Sequence, residues 1–318
     1  MPAALTGRPI DVAQPTPCGR PRGRVHQEAE RDIVRHSVRI TAGTGRFFKM
    51  TRAAWRGVLA ALTMIVVAGQ NPVHAASTTT ATSSQTMSLT VPAYFDPVGK
   101  GLGLWNDLAT TASKVSTTVI LNPNSGPGKT IDISYTVAIA KVHAAGGKVI
   151  GYVSTQYGKR SLSNVATDIN TYLSFYKVDG IFVDEMTSDG TTAHIQYYQS
   201  VYNYIKGMSP SLSVMANPGT DMAEQYVTLP TADQFVTFED TAKKYAKYTQ
   251  PKWQANYPAS RFVHMVISAA AADMPAIVSS AATHHAGSVF VTSAGMPNPY
   301  KNLGTYWSDL VVKVSGMK

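Results

Sequence analysis

Val178-Asp179-Gly180-Ile181-Phe182-Val183-Asp184-Glu185-Met186 is the stretch whose reading decides the fold. Ile181 to Val183 form an apolar, β-type run that stops at two adjacent carboxylates. A buried strand ordinarily stops at turn residues, whereas α/β barrels place their chemistry at the C-terminal tips of parallel strands. A second such run, Phe235-Val236-Thr237-Phe238, stops at Glu239-Asp240. Two acid-bearing tips on one rim bring carboxylates together across a groove, which is what acid-catalysed cleavage of a glycosidic bond requires.

Working outward, short β-branched runs alternate with longer amphipathic ones. Strands are expected at Leu89–Phe95, Thr117–Leu121, Lys148–Ser154, Asp179–Asp184, Ser211–Ala216, Gln234–Phe238, Phe262–Ile267 and Ser288–Thr292. Helices are expected at Leu104–Lys114, Ile133–Ala145, Leu162–Tyr176, Thr191–Met208, in a short piece after Thr220, and at Lys243–Ala255, Met274–His285 and Leu303–Val312. Eight strands with eight helices predict a single (β/α)8 TIM-like barrel over residues 89–318. The near-continuous apolar strands suit a parallel sheet covered on both faces. An open doubly wound sheet is the structural alternative, though such sheets usually have fewer strands. Helix-to-strand turns such as Ala145-Gly146-Gly147-Lys148 are tight, while the strand-to-helix loops are rich in Asn, Asp, Glu and Tyr. That asymmetry places the site on the C-terminal face.

The charge of the chain is uneven. Residues 1–75 hold 11 of the 28 Lys+Arg and 4 of the 19 Asp+Glu, leaving 17 basic and 15 acidic residues in the remainder. The net charge of +9 therefore belongs mostly to the N-terminus and does not mark a nucleic-acid partner. Residues 1–49 are expected to be a disordered extension, or Met50 is the true start. Residues 50–76 read as a signal peptide: Arg52 and Arg56, an apolar Gly57–Ala68 segment, then Val73-His74-Ala75-Ala76 as an A-x-A-like cleavage site. The apolar run is shorter than the roughly 20 residues that span a bilayer, so no membrane insertion is expected after processing. Residues 77–88 form a Ser/Thr-rich linker. The single cysteine, Cys18, lies ahead of the signal, so the mature chain has neither disulfides nor thiolate metal sites.

On the rim, Asp184, Glu185 and Glu239 are the candidate catalytic residues. Adjacent strand residues face opposite ways, so Asp184 and Glu185 both reach the barrel mouth only if the strand has ended between them. Asp240, close to Lys243 and Lys244, is expected to cap the next helix. Candidate substrate contacts are Asn122, Asn124 and Asn217, whose amides both donate and accept, and Tyr94 and Tyr152, which offer an apolar face and a phenol. Asx-turns for the asparagines and a core position for Tyr152 are the competing roles. Tyr157 also lies by the rim. His264, inside a strand, is either a core residue or a substrate contact. No G-x-S-x-G elbow occurs, and no His/Asp cluster offers a metal ligand set, so no metal or organic cofactor is expected.

Taken in order, Val91-Pro92-Ala93-Tyr94, Ile120-Leu121-Asn122-Pro123-Asn124-Ser125-Gly126-Pro127-Gly128, Val149-Ile150-Gly151-Tyr152-Val153-Ser154-Thr155, Gly180-Ile181-Phe182-Val183-Asp184-Glu185, Ala216-Asn217-Pro218-Gly219 and Phe238-Glu239 resemble the spherulin 4 (spherulation-specific family 4) proteins. The resemblance runs from about Val91 to Trp307. It implies a TIM-like barrel and glycoside hydrolase activity, similar to endo-acting α-1,4-N-acetylgalactosaminidases that cut galactosaminogalactan, a secreted biofilm polysaccharide. The family's acidic positions map onto Asp184, Glu185 and Glu239. The last strand departs from the pattern, with Thr292-Ser293-Ala294 where Thr-Asp-Asp is expected, and Tyr94-Phe95-Asp96-Pro97 is less aromatic than the family version.

The chain is thus expected to be a secreted, monomeric glycosidase acting on a GalNAc- or galactosamine-containing polysaccharide. Glu239 is assigned as the acid and Asp184 as the nucleophile or base, with Glu185 orienting one of them or binding the sugar amide. The alternative from another class is a carbohydrate-binding or cell-coat protein that keeps the barrel without catalysis. An acid-dependent deacetylase or lyase is a second enzyme alternative, disfavoured by the missing metal cluster.

Overall fold

A computed structural model describes residues 86–317. The expected extension and signal peptide, and residues 77–85 of the linker, lie outside the described residues. Eight parallel strands close into a barrel in sequence order: β1 (Ser88–Ala93), β2 (Thr117–Leu121), β3 (Lys148–Ser154), β4 (Gly180–Asp184), β5 (Ser213–Ala216), β6 (Gln234–Thr241), β7 (Phe262–Ile267) and β8 (Ser288–Val291). Closure is made by β1 and β8, which pair Ser88 with Ser288 and Leu89 with Val289. Each strand is expected within a few residues of where it lies, because an apolar β-branched run bounded by polar loops has few other ways to bury both faces.

Around the barrel stand α1 (Lys100–Ala112), α2 (Ile133–Ala144), α3 (Leu162–Phe175), α4 (Thr192–Met208), α5 (Gln225–Thr228), α6 (Ala242–Tyr245), α7 (Met274–Thr283) and α8 (Trp307–Ser315). Local signals set several ends. Asp132 caps α2 by accepting from Ser134 N at 2.9 Å, and Gly146 follows α2 at φ 85°, the left-handed turn that glycine adopts without penalty. The expected helix over Lys243–Ala255 is instead broken. α6 stops at Tyr245, and a 3-10 turn resumes at Lys252–Asn256. Pro251 accounts for the gap: it has no N–H to donate and disfavours a helical Gln250.

Aromatic side chains of the helical layer brace the strand ends. The Tyr198 hydroxyl of α4 donates or accepts within 3.0 Å of Thr155 Oγ1, beyond β3, and accepts from Thr187 N, beyond β4, at 3.1 Å. Tyr172 of α3 donates to Leu121 O at 3.1 Å. These buried bonds join outer layer to inner barrel at the end where the loops carry the chemistry.

β6 differs from expectation in a way that matters for the site. It runs on through Glu239, Asp240 and Thr241, and its pairing with β7 shifts at Thr237. Val236 pairs with Val263, yet Phe238 pairs with His264 and Glu239 with Met265. One extra residue on β6 is a β-bulge, and a one-residue shift exchanges the faces of everything beyond it. Without the bulge Phe238 would stand opposite Met265. With it, Glu239 does, and Phe238 packs outward on Tyr245 of α6, ring centroids 4.7 Å apart.

Candidate functional site

A cavity of about 240 Å3 opens at the C-terminal ends of the strands. Its floor and walls include Asp184 and Glu185 from the tip of β4, Asn217 after β5, Glu239 from β6, Tyr94 after β1 and Tyr300 from the loop after β8. No Lys, Arg, His or Cys is among the described residues that line it.

Asn217 organises the acids. Its Nδ2 donates to Asp184 Oδ1 at 2.8 Å and to Glu239 Oε2 at 2.6 Å. With the amide turned over, its oxygen would face two carboxylates, so the hydrogen-bond network admits one orientation. The amide is fixed from below: Asn217 N donates to Val183 O at 2.8 Å, and Met186 N donates to Asn217 O at 2.9 Å. Pro218 holds the residue extended. Gly219, at φ 66°, then turns the chain so that its N–H reaches Val236 O and its carbonyl accepts from Glu239 N at 2.9 Å. A side chain at Gly219 would be strained in that backbone and would stand beside the Glu239 carboxylate. Asn217 Oδ1 is buried with no hydrogen-bond partner among the described residues.

Glu239 accepts on both oxygens, Oε2 from Asn217 and Oε1 from the Tyr300 hydroxyl. Tyr300 sits edge-on to Tyr94 at 5.4 Å, and Tyr94 edge-on to Tyr152 at 5.7 Å, so three tyrosines form a wall under the acids. Their own ionisation is suppressed, first by burial and then by Asp184 and Glu239, so they stay neutral donors. Burial, followed by the Glu239 charge, pushes the Asp184 carboxyl up to about 6, against the opposing pull of the Tyr152 and Asn217 donors.

Glu185 also reaches the cavity. β4 ends at Asp184, and Glu185 turns at φ 53°, a left-handed backbone uncommon for a residue with a side chain. That turn removes the strand alternation, so both neighbouring acids line one pocket. Ser154 Oγ donates to Glu185 Oε2, and the Glu185 carbonyl accepts from Thr155 Oγ1 at 2.9 Å and Tyr157 N at 2.8 Å.

The structure therefore brings Asp184, Glu185, Glu239, Asn217 and Tyr94 to the cavity, while Tyr152 packs edge-on to Tyr94 without lining it. It does not bring the other three sequence-based candidates to the cavity. Asn122 Oδ1 accepts from Gly126 N at 2.8 Å, a turn internal to its own loop, and Asn124 is exposed with its N–H bonded to Gly126 O. His264 is 0% exposed and its Nδ1 lies 2.7 Å from the Tyr245 hydroxyl, on the outer face with Phe238. Its neighbour Met265 lines the cavity, and the alternation along β7 turns His264 to the other face. Asp240 does not cap the next helix as expected: the N-cap of α6 is Thr241, and the Asp240 carboxylate accepts from Thr241 N and from Lys244 Nζ, both at 2.6 Å.

Sequence reasoning passed over Tyr300 and Ser154. Tyr300 follows the last strand, where the family pattern has acids at 293 and 294 and this chain has Ser293 and Ala294. Its reach to β6 depends on how the loop over 292–306 folds back, and the only available signal was an aromatic in a loop beside a barrel rim. Ser154 ends β3 opposite Asp184 in register, a neighbour predictable once the strand order is known.

Comparison with known proteins places these residues in context. The model of spherulation-specific family 4 matches residues 88–314. Spherulin-4 of Physarum polycephalum is 40% identical over 164 residues, 51% of this chain and 47% of that protein, so the chain spans about half the length of the curated relative it matches. The crystal structure of Aspergillus clavatus Sph3 in complex with GalNAc is similar with a TM-score of 0.64 and 26% identity, covering 73% of this chain and 98% of that one.

Proposed function

Because this chain belongs to spherulation-specific family 4, we propose that its barrel is a glycoside hydrolase cutting a GalNAc- or galactosamine-containing polysaccharide, of the endo-α-1,4-N-acetylgalactosaminidase kind. The observation that carries this reading is the pair Asp184 and Glu239, two carboxylates bridged by one amide in a sugar-sized cavity. The likeness to Sph3, a protein crystallised with GalNAc, supports the choice of sugar.

The environments of the two acids favour roles opposite to those assigned from sequence. Asp184, raised to about 6, holds a proton near neutrality and is the better acid. Glu239, with a donor on each oxygen, is held in one orientation and is the better placed nucleophile. In the first step Asp184 gives its proton to the glycosidic oxygen as the C1–O bond breaks and a Glu239 oxygen bonds to C1. In the second, Asp184 takes a proton from water as that water's oxygen displaces Glu239. Asn217 shields each carboxylate from the other, and Glu185 is placed to bind the sugar.

Release of reducing ends from galactosaminogalactan, with chitin and galactan as controls, tests the reading. Binding without release would favour the carbohydrate-binding alternative. Export rests on the sequence of residues 50–76, and N-terminal sequencing of exported protein is expected to begin within a few residues of Ser77. Among the described residues no helix is long and apolar enough to cross a membrane.

A further inference from the structure

Tyr157 is the rim residue whose conformation folding does not account for. It lines the acid cavity, yet it is 54% exposed, so about half of the residue faces solvent. Its backbone is left-handed at φ 55°, between Gln156 at 49° and Gly158 at 75°. Three successive left-handed residues are uncommon, and at an exposed position glycine or asparagine adopts that conformation at least cost. The ring is not compensated by burial.

The turn is nonetheless held in place. Tyr157 N donates to the Glu185 carbonyl, Thr155 Oγ1 donates to the carbonyls of both Asp184 and Glu185, and Arg160 Nη1 donates to Ser154 O at 2.9 Å. A Cβ on Gly158 would meet His194 of α4 at 3.4 Å, so the turn also rests on the helical layer. The loops after β3 and β4 are in effect tied at the point where the acids emerge. A strained backbone that its surroundings fix, carrying an exposed aromatic ring at the edge of a carboxylate pocket, is an arrangement for contact with a ligand.

The cavity has a volume of about 240 Å3, and Tyr157 is the most exposed aromatic residue that lines it. We propose that Tyr157 is a stacking platform for the sugar next to the one held in the pocket, so that the site grips an oligosaccharide rather than a monosaccharide. The proposal rests on the carbohydrate reading of the cavity and assigns the contact with the neighbouring sugar to one residue. The apolar C–H face of a galacto-configured ring lies flat on an aromatic ring, while its hydroxyls remain in water. Loss of one such stacking contact costs about tenfold in affinity.

The test is calorimetric binding to the full chain carrying Glu239→Gln, which removes the nucleophile, with N-acetylgalactosamine and its α-1,4-linked trisaccharide as probes. The trisaccharide is expected to bind at least about tenfold tighter than the monosaccharide. Adding Tyr157→Ala removes that advantage and leaves the monosaccharide within about twofold, whereas Tyr157→Phe keeps both. Tyr157→Gly, which relieves the left-handed strain, melts no lower than the parent while losing the advantage. The proposal is overturned if the trisaccharide has no advantage, if the advantage survives Tyr157→Ala, if both probes weaken equally, or if neither binds. Reducing-end release by the unsubstituted chain is read separately. Tyr157-dependent binding without release leaves the platform standing and removes the hydrolase reading.

Discussion

Asp184 Oδ1 and Glu239 Oε2 accept hydrogen bonds from the same nitrogen, Asn217 Nδ2, at 2.8 and 2.6 Å. The two oxygens therefore stand no farther apart than those two bonds laid end to end, 5.4 Å. Two carboxylates so placed repel one another, and the shared donor and the raised affinity of Asp184 for a proton are the two means by which the fold tolerates them.

That separation fixes a stereochemical expectation. Retaining glycosidases hold their carboxyl groups about 5–5.5 Å apart, whereas inverting ones leave about 6.5–9.5 Å for a water. Products released by this chain are expected to keep the anomeric configuration of the substrate. Proton NMR of the newly formed reducing ends, recorded before mutarotation, distinguishes the two, and initial release of the inverted anomer would remove Glu239 as a nucleophile.

Amide substitutions preserve shape and remove proton transfer or nucleophilic attack. Asp184→Asn and Glu239→Gln are each expected to lower turnover by about 10²–10⁴-fold with unchanged circular dichroism. Asp240→Asn, which loses the ion pair with Lys244 but keeps an oxygen to accept from Thr241 N, should stay within about twofold of the unsubstituted protein. Full activity in a folded Glu239→Gln variant would exclude the pair mechanism.

Asp184 ties activity and stability to pH in opposite senses to an ordinary carboxylate. Its folded-state value of about 6 lies above the unfolded one, so the folded protein binds this proton more tightly. The associated stability is fully present below about pH 4 and is lost as pH rises through about 6. Asp184→Asn, which removes the buried charge, is therefore expected to stabilise the protein at pH 8 by about 1–3 kcal/mol, with the gain shrinking toward pH 4. As Asp184 is the proposed acid, kcat/KM should fall on the alkaline side with an apparent pKa near 6. Urea melts and rate profiles across pH 4–8 measure both. A stability gain that does not change with pH would place the effect elsewhere.

Tyr300 is a positioning residue for Glu239. Its hydroxyl donates to Oε1, and a hydrogen bond to a charged group is worth about 1.5–3 kcal/mol. Tyr300→Phe keeps the ring against Tyr94 and is expected to lower kcat by about 10–100-fold while changing KM little. A matching rise in KM with unchanged kcat would show instead that the hydroxyl serves binding alone.

Much of this was legible before any coordinates. The alternation of apolar β-branched runs with amphipathic ones was enough to predict eight strands and the barrel they close, because parallel strands buried on both faces leave a pattern local in sequence. Asp184 at the end of such a run, and Asn217 held extended before Pro218, were recognisable as rim residues on the same grounds. What remained out of reach depended on how the tips meet. Sequence favours Glu239 over Asp240, and Glu239 does line the cavity, but the reason, the bulge at Thr237, is a register shift against β7 that leaves no local mark. That Glu185 joins Asp184 was decided by one left-handed turn. That Asn217 bridges two acids and that Tyr300 reaches back from beyond β8 were decided by closure of the barrel, which makes neighbours of residues distant in the chain, whereas Asn122 and Asn124 are held by a turn within their own loop. Periodicity is written residue by residue, so sequence carries it. A hydrogen bond between strand tips exists only once the sheet has closed and its register is set, so only the tertiary structure carries that.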